Sequence, residues 1–163
     1  MSELLLEKSF LSISVQDVAT RATVNRATFY AHFDDKYAIF ESLIRDGFHE
    51  ALESRLGPEV KFDEFGLHLL VQTVVEYMGR LNSRCRKADR RMDPLVEATA
   101  QDTLYRFLLA RLSAEGRREN LETTASVWSW AIFGAAMQWS RTERAKSAAD
   151  LAEEVCEVLW GPR

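Results

Sequence analysis

No segment of this chain sustains the strict apolar–polar alternation of a half-buried strand, and this constrains its fold more than any other feature. Apolar residues recur instead at intervals of three and four: Leu70, Val74, Tyr77 and Leu81; Leu104, Phe107, Leu108 and Leu112; Ala148, Leu151, Ala152, Val155 and Leu159. That spacing lays each set along one face of a helix. A sheet protein with many tight turns needs glycine and proline, and this chain has only 7 and 3. The expected class is all-α. The few breaks fall between the periodic segments. Gly57-Pro58 stops one, and Asp93-Pro94 reads as a start with Asp at the N-cap and Pro in the first turn. Gly116 reads as a helix end. Ser147 and Asp150 make a capping box with Asp in place of Glu, and Gly161-Pro162 ends the last periodic segment.

Composition removes several functional classes. Lys and Arg total 21 against 25 Asp and Glu, a net charge of −4. Nucleic-acid binding must therefore rest on local residues and not on the overall field. Residues 1–50 hold five Lys and Arg against eight Asp and Glu, so few phosphate ion pairs and a modest salt dependence are expected. Cys85 and Cys156 are far apart and suit a reducing compartment. His32, His49 and His68 stand alone without zinc-ligand spacing, and neither metal nor cofactor is expected. The run Val127–Met137 covers 11 residues, short of the roughly 20 that span a bilayer, and the first residues lack a secretory pattern. A cytoplasmic helical protein with no membrane partner is expected. P-loop, Gly-x-Ser-x-Gly and His-Glu-x-x-His signatures are missing, so an enzyme is not expected.

The informative stretch runs from Ser14 to Lys36. Ser14 can cap a two-turn helix whose inner face is Val15, Val18, Ala19 and Ala22. Thr23-Val24-Asn25 breaks it, with Val24 able to plug the corner and Asn25 a good N-cap for the next helix. Two short helices joined by a tight turn make a helix-turn-helix. On the second helix Phe29 and Phe33 face the core, and Ala27, Thr28 and Ala31 lie on the far side. Tyr30 and His32 flank that far face. Small residues let such a helix sit deep in a major groove, and a phenol and an imidazole at its edges can reach phosphates. Arg26 is long enough to fork onto a guanine. The alternative for Arg26 is to lie along the core and pair with an acid such as Asp17. A longer helix from about Asp35 to Arg55 follows.

This stretch resembles the DNA-binding segment of the TetR (tetracycline-repressor-like) family. The matching residues are Val18-Ala19, Ala22-Thr23-Val24-Asn25, Thr28-Phe29-Tyr30, His32-Phe33 and Lys36. The resemblance implies an N-terminal three-helix helix-turn-helix domain, residues 1–45, followed by a helical ligand-binding and dimerisation domain, residues 46–163. It implies DNA contacts by Arg26, Ala27, Thr28, Tyr30 and His32, completed by Gln16 and Lys36. Two departures stand out. The family's common turn glycine is Thr23 here, which either has φ < 0 or is strained. Helix 1 is short, with Leu4, Leu5 and Leu6 supplying its share of core.

Beyond residue 46, Val127–Met137 is apolar on all sides, so one face can pack within the domain while another meets a partner. With the Leu151/Val155/Leu159 stripe it fits a homodimer interface of the last two helices, formed by Trp130, Gly134, Met137, Leu151, Val155 and Leu159. The available aromatic lining for a small-molecule effector is Tyr77, Tyr105, Phe107, Trp128 and Trp130. Arg80, Arg84, Arg86, Lys87, Arg90 and Arg91 crowd one segment, which reads as a solvated interhelical loop before it reads as an anion site. The function that fits best is a sequence-specific transcriptional regulator, a ligand-responsive repressor acting as a homodimer on a double-stranded operator. The alternative is a helical dimer of the same fold with lost or weakened DNA binding, acting as an interaction or ligand-binding protein.

Overall fold

A computed structural model of the chain describes residues 1–85, 93–116, 119–142 and 146–161. Within them lie α1 (Ser2–Glu7), a 3-10 turn (Phe10–Ser12), α2 (Val15–Arg21), α3 (Arg26–Tyr30), α4 (Lys36–Arg55), α5 (Glu64–Cys85), α6 (Asp93–Ala114), α7 (Leu121–Arg141) and α8 (Ala148–Trp160), and no strand. Several of the sequence signals for the ends are realised, although α6 begins at Asp93 itself and not at the proline after it. Asp35 caps α4 by accepting from the amides of Tyr37 and Ala38. Ser147 and Asp150 form the reciprocal capping box of α8. Gly116 takes φ +78° just past α6, a conformation that favours glycine.

The main core gathers α4 through α8. Phe48, Leu52 and Leu56 meet Leu67, Leu70, Val71, Val74 and Val75 of α5. Leu104, Leu108 and Leu112 of α6, and Ile132 and Ala136 of α7, complete it. Each side chain of this size contributes about 1.5–3 kcal/mol when fully buried. Two smaller clusters lie at the N-terminal end. Leu4, Ile13, Val18 and Phe29 form one. Phe10, Phe40, Ile44 and Val96 form the other, which joins the first helices to α4 and α6. The boundary expected at residues 45 and 46 falls inside α4. That helix gives Phe40 and Ile44 to the N-terminal side and Phe48 and Leu52 to the main core.

Three expectations are corrected. Leu6 is 82% exposed; only Leu4 of that triplet is buried and Leu5 half-buried, because a helix of six residues turns one narrow face inward. Val24 does not plug the corner but stands 40% exposed on its outside. The second helix of the pair ends at Tyr30, so Ala31 and His32 lie in the turn that follows it and Phe33 lies beyond that turn.

Candidate nucleic-acid interface

The helix-turn-helix is built by its caps. Ser14 starts α2: its hydroxyl accepts from the Asp17 amide at 3.1 Å, while its own amide and hydroxyl donate to Asp17 Oδ2 at 2.7 Å. These bonds, the hydroxyl's first, together with Lys8 at 3.0 Å, hold the Asp17 carboxyl far below its ordinary value. Asp17 is thus engaged by Ser14 and Lys8, and Arg26 does not pair with it. Past α2, the Thr23 amide donates to the Thr20 carbonyl at 3.1 Å and the Val24 amide to the Ala19 carbonyl at 2.9 Å. This is a Schellman ending, whose left-handed position usually carries glycine. Thr23 occupies it with φ +59°, so the strained alternative is the one the chain adopts. Asn25 then caps α3, accepting from the Thr28 amide at 2.8 Å and the Thr28 hydroxyl at 3.1 Å.

With Phe29 buried and Phe33 half-buried against the small cluster, α3 turns its other faces outward. Gln16, Arg26, Ala27, Thr28, Tyr30 and His32 are all exposed. Gln16 donates to the Thr20 hydroxyl at 3.1 Å along α2. The Arg26 guanidinium donates to the Tyr30 hydroxyl at 3.4 Å. Two features of this surface are barely marked in the sequence. One is Val24, exposed in the turn before α3, which residue type alone assigns to the interior. The other is the left-handed Thr23, whose single signal is a threonine at the usual place of glycine.

Lys36 is placed differently from the other six. Half-buried, its ammonium donates to the carbonyls of Phe10 at 3.2 Å, Leu11 at 3.1 Å and Ile13 at 2.8 Å. An ammonium has three hydrogens, so its donors are directed into the domain and not toward a groove. Two further cations of this region are paired. Arg21 holds Glu7 at 2.8 Å and Glu3 at 3.2 Å, and Lys8 holds Asp17. The Arg21 hydrogen bond lowers the Glu7 carboxyl from its ordinary value.

Among the described residues, the aromatics expected to line an effector pocket are absent from the walls of the cavity between α5 and α8. Phe107 and Trp128 are buried in the main core. Tyr77 stacks on Phe48 at 4.6 Å and donates to the Ile44 carbonyl at 3.2 Å, and Tyr105 packs half-buried on the core. Trp130 points away from the core and is 60% exposed. That cavity, of about 340 Å³, has Glu64, Phe65, His68, Glu153, Cys156 and Glu157 among its walls. On α7, Val127, Trp130, Ala131 and Gly134 form an exposed, largely apolar stripe, with Met137 half-buried. On α8, Leu151, Val155 and Leu159 are half-buried on the core and Val158 is fully outward. Of the basic segment, Arg80 lies 3.8 Å from Glu76; Arg86, Lys87, Arg90 and Arg91 lie outside the described residues, as does the side chain of Arg84. No described helix is long and apolar enough to cross a membrane.

Residues 2–43 match the family model of bacterial regulatory proteins of the tetR family. A stretch covering 40% of this chain and 37% of the relative is 40% identical to the HTH-type transcriptional regulator EthR of Mycolicibacterium smegmatis, so the match spans well under half of that protein. The whole chain shares its fold with solved structures. A transcriptional regulator of the TetR/AcrR family from Thermobifida fusca is 19% identical with a TM-score of 0.51, over 97% of this chain and 91% of that one. The fatty acid degradation regulator FadR of Bacillus halodurans is 17% identical with a TM-score of 0.57, over 93% and 86%. FadR of Bacillus subtilis, solved in complex with stearoyl-CoA, is 16% identical with a TM-score of 0.53, over 96% and 92%. The N-terminal segment, residues 2–43, thus resembles the DNA-binding part of bacterial regulatory proteins of the tetR family, and the chain as a whole shares the all-helical fold of these solved structures.

Proposed function

We propose that this chain is a ligand-responsive repressor that binds a double-stranded operator in the cytoplasm as a homodimer and acts by binding, not catalysis. The observation that carries the reading is the outward set Arg26, Ala27, Thr28, Tyr30 and His32, held by a capped helix-turn-helix inside the family's matched segment. Arg26 reads a base, while Tyr30, His32 and Gln16 position the backbone. The exposed stripe on α7 and the outer side of α8 form the self-complementary interface of a two-fold dimer. A small molecule that favours one spacing of the two recognition helices shifts operator affinity by its differential binding. Helix α4 carries that shift, since it belongs to both cores.

The stearoyl-CoA of the Bacillus subtilis relative is not carried over as the effector. Three carboxylates, Glu64, Glu153 and Glu157, wall the cavity between α5 and α8 and would repel the phosphates of such a ligand. A second reading, a dimer with weakened DNA binding, is favoured by the engagement of Lys8, Arg21 and Lys36 within the domain. An electrophoretic shift on the DNA upstream of the chain's own reading frame separates the two. A retarded complex at submicromolar protein supports the repressor, and none at ten micromolar supports the second reading.

A further inference from the structure

We propose that Lys36 is a positioning residue: by clasping the backbone between Phe10 and Ile13 it sets the orientation of the α2–α3 unit on α4. The inference rests on α2–α3 being the DNA-binding unit. The clasped segment is the splice between two clusters. Phe10, fully buried, belongs with Phe40, Ile44 and Val96 of α4 and α6. Ile13, only 1% exposed, belongs with Leu4, Val18 and Phe29 of the α1–α3 side. Lys36 is the first residue of α4 and hydrogen-bonds the carbonyls at both ends of that splice, with Leu11 between. Its ammonium also lies 4.8 Å from the centroid of the Phe10 ring, within cation–π range.

The helix dipoles agree with this role. A cation in the first turn of α4 opposes the positive end of its own helix. At the C-terminal side of the 3-10 turn the carbonyls of Leu11 and Ile13 lack helical partners, which favours a cation, while that of Phe10 also accepts from the Ile13 amide at 3.1 Å. Lys36 therefore serves the neighbouring turn and not its own helix. A phosphate anchor would direct its hydrogens to solvent; these are directed at three carbonyls. The site also selects an ammonium over a guanidinium. Three short bonds converging on one nitrogen suit a compact, rotating donor, and a planar fork cannot reproduce them.

The test compares full-length wild type, Lys36→Met, Lys36→Gln and Lys36→Arg in two arms. Without DNA, amide exchange and backbone resonances are recorded on chains that keep their helical circular dichroism. The proposal expects the α2 and α3 resonances to move in all variants, those of α5–α8 to stay, and exchange at Ile13 to rise at least about tenfold. A lysine that only stabilised the fold would lower the melting temperature and leave the α3 resonances of the folded protein in place. Unmoved α2–α3 resonances in the folded variants overturn the proposal, whatever the DNA result. With DNA, the probe is a duplex selected from random sequence by the wild-type chain. Affinity should fall at least about tenfold with an unchanged salt slope, and Lys36→Arg should not rescue it. Rescue by Arg, with a slope lower by about one in Lys36→Met, is the signature of a phosphate anchor and overturns the proposal. A wild type that selects no duplex refutes the DNA-binding reading, while the first arm still decides the placement of α2–α3.

Discussion

The Arg26 guanidinium donates to the Tyr30 hydroxyl at 3.4 Å and lies 5.8 Å from the centroid of the same ring, one turn away on α3. The pair is exposed, its hydrogen bond is long, and no acid among the described residues holds the guanidinium. Such a contact aims the arginine along the outer face of α3 without fixing it there. Arg26 can exchange the phenol for a guanine edge, where two hydrogen bonds replace one. Arg26→Ala should cost about 1–3 kcal/mol on the selected site and flatten preference at one base pair in each half-site. His32→Ala should lower affinity uniformly and leave the preference profile as it was. Binding-site selection on both variants checks this. An Arg26→Ala profile identical to wild type would reduce Arg26 to an anchor.

Thr23 bears strain that glycine would relieve. Its φ of +59° sets a β-branched side chain in the left-handed region, at a position fixed by the two Schellman hydrogen bonds. Left-handed backbone costs an L-residue about 1–2 kcal/mol, and glycine's greater freedom in the unfolded chain returns part of that gain. Thr23→Gly should raise stability by about 1 kcal/mol. Thr23→Val, equally branched, should bring no gain. Urea unfolding of the full chain measures both.

Acid should loosen the helix-turn-helix through Asp17 and Glu7. Both carboxyls are lowered, Asp17 by the Ser14 hydroxyl first and Glu7 by the Arg21 hydrogen bond first. A carboxyl whose folded value is depressed adds stability that is complete above its unfolded value and is lost as pH falls through the folded one. The contribution is therefore full above about pH 5 and declines as pH drops below about 4. Asp17→Asn should melt below wild type at neutral pH, and the gap should narrow below about pH 4. A gap that stays constant down to pH 2 would refute the assignment.

Much of this could be read in the sequence because caps are local. Ser14, Asn25 and Ser147 each accept from an amide three residues on, so the residue and its acceptor role lie within one window. Trp128 and Trp130 show where that legibility ends. They lie two residues apart, about 200° around the helix, and one is buried while the other is outward. In a run that is apolar on every side, the pattern carries no phase to tell them apart. The partners of Lys36 were hidden for another reason. They are main-chain carbonyls 23 to 26 residues upstream, and a carbonyl leaves no mark in the residue type.

The outward stripe of α7 yields the last prediction. Trp130 and Val127 stand more than half exposed, and Gly134 lies on the same exposed face. A Cβ added at Gly134 would meet nothing within 4 Å in the protomer. Glycine inside a helix costs about 0.8–1 kcal/mol relative to alanine, and no contact within the chain requires it here. A partner helix approaching closely would. Gly134→Trp should therefore leave the protomer folded and drive a dimer to monomer, with unchanged helical circular dichroism and half the mass by light scattering. Gly134→Ala separates the causes. If the glycine only weakens its helix, alanine should raise thermal stability at every protein concentration. If it admits a partner, alanine should weaken dimerisation, and the melting temperature should lose its rise with concentration. Wild-type chain that scatters as a monomer at micromolar concentration would remove the interface altogether.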